Sequence, residues 1–422
     1  MNGSAGICVL CAAFGWMPAA VQAVADPECD PDNGGLELPA GFCALVVADD
    51  LGAARHLAVD GDGDIYVALR DNDGGAIALR DTDGDGRADE IDRFYDREGT
   101  GILLHEDYLY FAPDDRVLRF RLGEGALAPD GEPETVVNGF PEQRSHATKS
   151  LAIDAENHLY VNVGAPSNVC QREDRRPGSR GLDPCPQLER QAGIWRFAAD
   201  AIGQSQEEDG ERFATGLRNS VAIEWHNGKL YAVPHGRDQL HELWPRLYSV
   251  EDSAGLPAEE FLQIVEGGDY GWPYCYYDHR QKKHVTAPEY GGDGRESDRC
   301  GELRDPEVAF PGHWAPNDLV FYTGEQFPER YRGGAFVAFH GSWNRAPLPQ
   351  EGYRIVFVPF ENGVATGEYE TFAEGFATDE ALRGDGKVAY RPSGLALGPD
   401  GSLYISEDNS GRIWRVFHRG AG

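Results

Sequence analysis

The 422-residue sequence is poor in positive charge: 38 Lys and Arg stand against 71 Asp and Glu, a formal net charge of −33. A partner held through phosphates needs a basic footprint, so this balance excludes nucleic acid and argues against an anionic membrane surface. Methionine occurs only twice beside 53 Gly and 26 Pro, which favours a loop-rich β protein over a helical one. The apolar run at residues 7–17 is too short to cross a bilayer, and no later stretch is long and apolar enough, so no membrane span is expected. C-x-x-C-H is absent, which excludes a covalently attached c-type haem, and no Rossmann-type nucleotide motif occurs. What is present is 11% aromatic residues, enough for a packed interior in an otherwise acidic chain.

The first 25 residues read as an address. Residues 7–17 (ICVLCAAFGWM) are uncharged and apolar, and Ala23-Val24-Ala25 ends the segment with small residues spaced like a signal-peptidase site, although MNGSAG has no Lys or Arg. The expectation is a signal peptide over 1–25 and one domain over 26–422, periplasmic or secreted. Cys8 and Cys11 lie in the signal. The remaining Cys29, Cys43, Cys170, Cys185, Cys275 and Cys300 permit fifteen connectivities but fall into three sequence-local pairs, 29–43, 170–185 and 275–300. Disulfides pinning long loops suit an oxidising compartment.

One pattern recurs six times: an alternating apolar strand, a turn rich in Asp, Gly and Asn, then a second apolar strand. It reads HLAVDGDGDIYVAL (56–69), GILLHEDYLYFAP (101–113), SLAIDAENHLYVNVGAP (150–166), SVAIEWHNGKLYAVPHG (220–236), DLVFYTGEQFPERYRGGAFVAFHG (318–341) and GLALGPDGSLYISED (394–408). Period-2 alternation around glycine-containing turns marks β-hairpins. Further strands such as RVLRFRL (116–122) and RIWRVFH (412–418) follow several of them. The pattern predicts an all-β fold, a six-bladed β-propeller of four-stranded antiparallel blades. The surplus length falls in loops 165–192, 237–318 and 361–390, where function is expected.

Hairpin geometry brings the start of each first strand beside the end of the second. On one face this gathers Arg55-His56, Thr100, His146 with Lys149, Arg218-Asn219, Asn317-Asp318 and Arg391. From the second-strand ends come Gly164-Ala165-Pro166, His235-Gly236-Arg237-Asp238, His340 to Arg345 and Glu407-Asp408-Asn409. Cations and histidines at one mouth of an acidic chain suit a small polyanionic ligand, since Arg grips carboxylates bidentately.

Here the sequence resembles the glucose/sorbosone dehydrogenases, six-bladed propellers that use pyrroloquinoline quinone (PQQ). The resemblance rests on HATKSLAIDAENHLYVNVGAPSNVC, GLRNSVAIEW followed by HGRD, GGDYGWPYC, FYTGEQFPERYRGGAFVAFHGSWNR and RPSGLALGPDGSLYISED. It implies an exported oxidoreductase that oxidises an aldose or sorbosone-like sugar, or a related polyol, and passes electrons to a separate cytochrome or quinone. His146 matches the family's general base. Arg218 and Asn219 match the pair that meets quinone and substrate. Gly236 and Arg237 match backbone carbonyls that hold calcium. Arg391 matches a carboxylate-gripping Arg, Trp314 an aromatic wall of the pocket, and Arg345 a substitute for a cofactor-binding Lys. Arg55, Lys149, His235, His340 and Asn344 complete the expected cofactor-binding set. Ser167 replaces the first Cys of the family block G-A-P-C-N-x-C, which leaves Cys170 to Cys185.

Residues 79–92 (LRDTDGDGRADEID) place Asp81, Asp83, Asp85, Gly86, Asp89 and Asp92 at EF-hand-type positions 1, 3, 5, 6, 9 and 12, with the Arg87 carbonyl at 7. The loop joins the third strand of the first blade to the fourth, opposite the converging face, so a structural calcium is expected there. Two other functional readings stay open: a calcium-dependent propeller hydrolase of lactonase type, and a secreted propeller that binds carbohydrate or protein without catalysis.

Overall fold

The computed structural model describes Met1 and residues 27–71, 74–129, 131–383 and 388–420; the rest of the expected signal peptide, with Cys8, Cys11 and Ala23-Val24-Ala25, lies outside the described residues. Six blades of four antiparallel strands follow one another around a ring, and the sheets of blades 2 and 3 each gain a two-residue parallel edge strand, Gln204–Ser205 and Gly268–Asp269. Blade 1 consists of Ala54–Val59, Ile65–Leu69, Gly75–Arg80 and Glu90–Tyr95. Blade 2 consists of Gly101–His105, Tyr108–Ala112, Val117–Arg121 and Glu134–Asn138, and blade 3 of Leu151–Ile153, His158–Val163, Gly193–Ala198 and Glu211–Thr215. Blade 4 takes Ala222–His226, Lys229–Val233, Glu259–Ile264 and Val308–Phe310. Blade 5 takes Pro316–Phe321, Ala335–Phe339, Arg354–Val358 and Glu370–Ala373. Blade 6 takes Pro392–Leu397, Leu403–Glu407 and Ile413–His418, and its outer strand is Phe42–Ala48 from the N-terminal side of the chain. The propeller is thus as expected, six blades built on the six hairpins.

Alternation explains why the ring closes. Successive side chains of a strand point to opposite faces, and in a propeller both faces of a blade are covered by neighbours. In Ile65–Leu69 every residue is buried: Ile65, Val67 and Leu69 pack towards blade 6, while Tyr66 and Ala68 pack towards blade 2. The aromatic ring that follows each turn does the same work six times. Tyr66, Tyr110, Tyr160, Tyr231, Phe336 and Tyr404 each sit in the core between their own blade and the next. Full burial of such a side chain contributes about 1.5–3 kcal/mol, so these wedges bind the blades together without a central core.

Three features differ from the sequence reading, the first being that the expected loop 361–390 contains the fourth strand of blade 5, Glu370–Ala373. Residues 237–318 are not one excursion: they contain the third and fourth strands of blade 4, with the helix Val250–Gly255 and the hairpin Cys275–Asp278/Lys283–Thr286 as insertions. The closing strand Phe42–Ala48 was not anticipated. It lies over three hundred residues from Ile413–His418, with Phe42 opposite His418 and Val46 opposite Trp414, and nothing in its own pattern names its partner. All three expected disulfides are present, Cys29–Cys43, Cys170–Cys185 and Cys275–Cys300. The first ties the N-terminal segment to that closing strand. Among the described residues no helix is long and apolar enough to cross a membrane.

Candidate active site

His146 precedes the inner strand of blade 3 with its backbone in the left-handed region, φ 53°. Gln143 fastens this turn, its amide donating to the carbonyls of Ser145, His146 and Gly164 at 2.9, 2.9 and 3.0 Å. Gly164 lies directly opposite: a Cβ there would stand 2.6 Å from the His146 carbonyl oxygen and 2.8 Å from Asn219 Oδ1. The Nδ1 of His146 is 2.6 Å from the Ala165 carbonyl oxygen. A ring nitrogen facing a carbonyl must carry the proton, so Nε2 keeps a lone pair. Burial, reinforced by the Arg218 charge, lowers the imidazole to about 3, so it is neutral at ordinary pH.

Arg218, at the entry to blade 4, is buried and nearly fully engaged. Its Nε donates to the Asn168 carbonyl at 3.1 Å and its Nη1 to the Gly236 carbonyl at 2.7 Å. Its Nη2 donates to Asn168 Oδ1 at 3.2 Å and to Asp238 Oδ2 at 2.7 Å. Burial would raise the Asp238 carboxyl, but Arg218, His313 and Arg175 more than offset that and hold it below its ordinary value. Several residues of this neighbourhood are left-handed non-glycines, including Gln239 (φ 63°), His313 (66°) and Ala315 (57°). Such backbone costs of order 1 kcal/mol or more per residue and gathers at functional sites.

A second carboxylate organises the far side. Asp408 of blade 6 pairs with Arg55 of blade 1 and accepts from His340 Nε2 at 2.8 Å. Arg391 donates from Nη2 to the Gly341 carbonyl at 2.9 Å and adds its charge to the same group. Burial works against the Asp408 carboxylate, yet His340 and Arg55 hold it below the ordinary range. Two arginines thus act on each carboxylate, Arg175 and Arg218 on Asp238, Arg55 and Arg391 on Asp408. The segment 340–344 joins the halves, because Asn344 Nδ2 donates to Asp238 Oδ1 at 2.8 Å. His235 belongs here too: its Nε2 meets the Pro316 carbonyl at 2.8 Å, and burial lowers its imidazole to about 4.

The expected set is therefore brought together in His146, Arg218, Asn219, His235, Gly236, Asn344, His340, Arg55 and Arg391. Three others are not at the mouth. Lys149 is fully buried, its ammonium donating to the Ala147 carbonyl and lying 5.4 Å from the Phe140 ring centre. Trp314 is a core residue, edge-on to Phe339 at 5.2 Å, and not a pocket wall. Arg345 is committed to the Ala254 and Pro349 carbonyls and to Glu351. The Arg237 guanidinium also turns away, into a buried pair with Glu289 at 2.6 Å, which leaves only its carbonyl for the expected metal role. Sequence reasoning assigned no role to Asp238, Asp408, Asn168 or Arg175. The signal for the first two was their place at second-strand ends, Asp238 after Gly236-Arg237 and Asp408 after Glu407.

On the opposite face the turn closes with Arg80 paired to Glu90. Asp92 consequently falls in the strand opposite Ala78, exposed and outside the loop, which corrects the twelve-residue EF-hand reading. Carboxylate oxygens of Asp81, Asp83 and Asp89 do lie within 4.8 Å of one another, but Asp85 is not in that group and instead caps the Arg87 N–H at 2.8 Å.

The TrAA12-like family profile matches residues 36–419. A pyrroloquinoline quinone-dependent pyranose dehydrogenase of Coprinopsis cinerea is 28% identical over 306 residues, covering 64% of this chain, and the chain spans only 39% of that protein. The fold is similar to the holo form of the PQQ domain of pyranose dehydrogenase from Coprinopsis cinerea, with TM-score 0.73, 20% identity, and coverage of 93% of this chain and 98% of that one. It is equally similar to the calcium structure of a Trichoderma reesei carbohydrate-active enzyme of family AA12, with TM-score 0.73, 19% identity, and coverage of 94% and 99%.

Proposed function

The chain belongs to the TrAA12-like family, and from that premise we propose that it is an exported dehydrogenase that oxidises an aldose, or a related polyol or aldehyde, with PQQ as oxidant. The observation that carries the reading is His146, a neutral imidazole with its Nδ1 proton committed to Ala165 and its Nε2 lone pair free, close to the buried Arg218. The apolar run at 7–17, the Ala23-Val24-Ala25 site and three disulfides support export.

The residues present suit such a cofactor. Arg55 Nε and Asn344 Oδ1 are buried without a hydrogen-bond partner, one donor and one acceptor at the mouth awaiting a polar ligand. Arg55 and Arg391 would hold its carboxylates, with His340 and Asn344 beside them. A calcium ion would rest on the Gly236 and Arg237 carbonyls; the first already accepts a cationic N–H from Arg218 and keeps a second lone pair. When bound, the quinone supplies a two-electron acceptor for a hydride. The chain's own work is acid–base and electrostatic. His146 Nε2 takes the hydroxyl proton as the sugar carbon gives up its hydride, and the imidazolium is stabilised through Nδ1–H on Ala165. Arg218 holds positive charge against the negative charge that develops. Electrons then leave to an external cytochrome or free quinone. A second, structural calcium is proposed at Asp81, Asp83 and Asp89.

An absorbance titration of the apo-protein with PQQ and calcium, followed by sugars, tests the reading. Bleaching of bound quinone by an aldose is expected, with His146→Ala retaining the cofactor and losing turnover. No binding at micromolar concentration would overturn the reading, and turnover by His146→Ala would remove His146 from its role.

A further inference from the structure

Asp238 has no part in the steps above, yet three loops meet on it. Its carboxylate is buried, the residue 8% exposed. Oδ2 accepts from Arg218 Nη2 and from Arg175 Nη2, each at 2.7 Å, and Oδ1 accepts from Asn344 Nδ2 at 2.8 Å. Its own N–H donates to Asn168 Oδ1 at 2.8 Å. Arg175 comes from the loop pinned by Cys170–Cys185, Arg218 from the entry to blade 4, and Asn344 from the loop between the second and third strands of blade 5.

The consequence falls on Arg218. A guanidinium has five N–H groups. Four of them are used, by the Asn168 carbonyl, Asn168 Oδ1, Asp238 Oδ2 and the Gly236 carbonyl. One N–H on Nη1 remains, and its direction is set by the Asp238 and Asn168 contacts on the opposite edge. Asp238 also returns negative charge towards His146, against the positive charge of Arg218. The charged and titratable groups around Asp238 itself are Arg218, Arg175, Arg237, His313 at 3.8 Å, His146, His235 and Glu259.

We propose that Asp238 is a positioning residue for the reaction, aiming the last free N–H of Arg218 at the reacting atoms without touching substrate. This rests on the functional reading above. Removing the charge has opposite effects on two readouts: the mouth becomes more positive, which favours an anionic ligand, while Arg218 loses its aim.

The test uses the full-length protein loaded with PQQ and calcium. Asp238→Asn is expected to bind PQQ as tightly as wild type or more tightly, while kcat falls roughly 10–100-fold, as for other groups that orient a reacting residue. The acid limb of the kcat profile is expected to move to lower pH. A purely structural role predicts weakened PQQ affinity with full turnover per bound quinone; that result, or an unchanged kcat, overturns the proposal. Asp238→Glu keeps the charge and shifts the carboxylate by one methylene, so it decides the case if the Asn variant fails to fold: a reduced kcat at normal affinity supports the proposal, and full kcat overturns it. Should wild type bind no quinone, the functional reading falls, and a crystal structure of the variant still decides the geometry, since an unmoved Arg218 guanidinium overturns the inference.

Discussion

Gly164→Ala puts one methyl group against the proposed base. Built on the existing backbone, that carbon lies 2.6 Å from the His146 carbonyl oxygen, 2.7 Å from His146 Cβ and 2.8 Å from Asn219 Oδ1, where ordinary contact begins at 3.4 Å. The overlap falls on backbone and on a buried amide, neither of which can swing aside. Overpacking of this kind costs about 1–3 kcal/mol, which lowers Tm by only a few degrees in a chain of this size. The effect on turnover is expected to be larger. The turn carrying His146 must move, and a misplacement near 1 Å costs on the order of 100-fold in rate. Gly61→Ala is the control: nothing lies within 4 Å of its added carbon and its φ lies outside the strained region. Differential scanning calorimetry and turnover with saturating PQQ would be compared across the three proteins. Wild-type turnover in Gly164→Ala, with KM unchanged, would refute the claim that this contact places the base.

Acidification should destabilise the protein in two stages. His146 and His235 are held neutral by burial, with folded values of about 3 and 4. Protonation therefore favours the unfolded chain as pH falls from about 6.5, the unfolded value, towards 4. Asp238 and Asp408 are depressed, so their contribution is present above about pH 3.9 and lost as pH falls further. His235→Gln, whose amide can still donate to Pro316, should flatten the first stage of Tm against pH; an unchanged slope would reject His235 as a contributor. Chelation at low free calcium should lower Tm more in wild type than in Asp81→Asn/Asp83→Asn, which keeps only the calcium proposed at the mouth, and equal shifts in both would reject the ion at that loop.

Most of the architecture was legible from short stretches of chain. The period-2 runs, the Gly-containing turns and the aromatic after each turn are local, and each identifies a hairpin with no knowledge of the others. Local pairing of cysteines 14, 15 and 25 residues apart follows the same logic. His146, Arg218 and Arg391 were reachable because hairpin geometry assigns strand starts to one face. The failures share a cause. Lys149, Trp314 and Arg345 occupy the right stretch of sequence, but a side chain can turn to either side of its strand or loop, and packing chose the interior or a carbonyl. Asp92 was lost from the calcium loop because strand pairing closed the turn two residues earlier than spacing suggested.

The sequence by itself determined the repeated unit, its number and the face on which polar strand ends collect, since those depend on residues a few positions apart. Only the tertiary structure decided which charge meets which. Arg55 and Asp408 are 353 residues apart, and Asn344 reaches Asp238 across 106. Those pairs exist because the ring closes and brings distant loops together, and a carboxylate buried there is tolerated only when donors surround it.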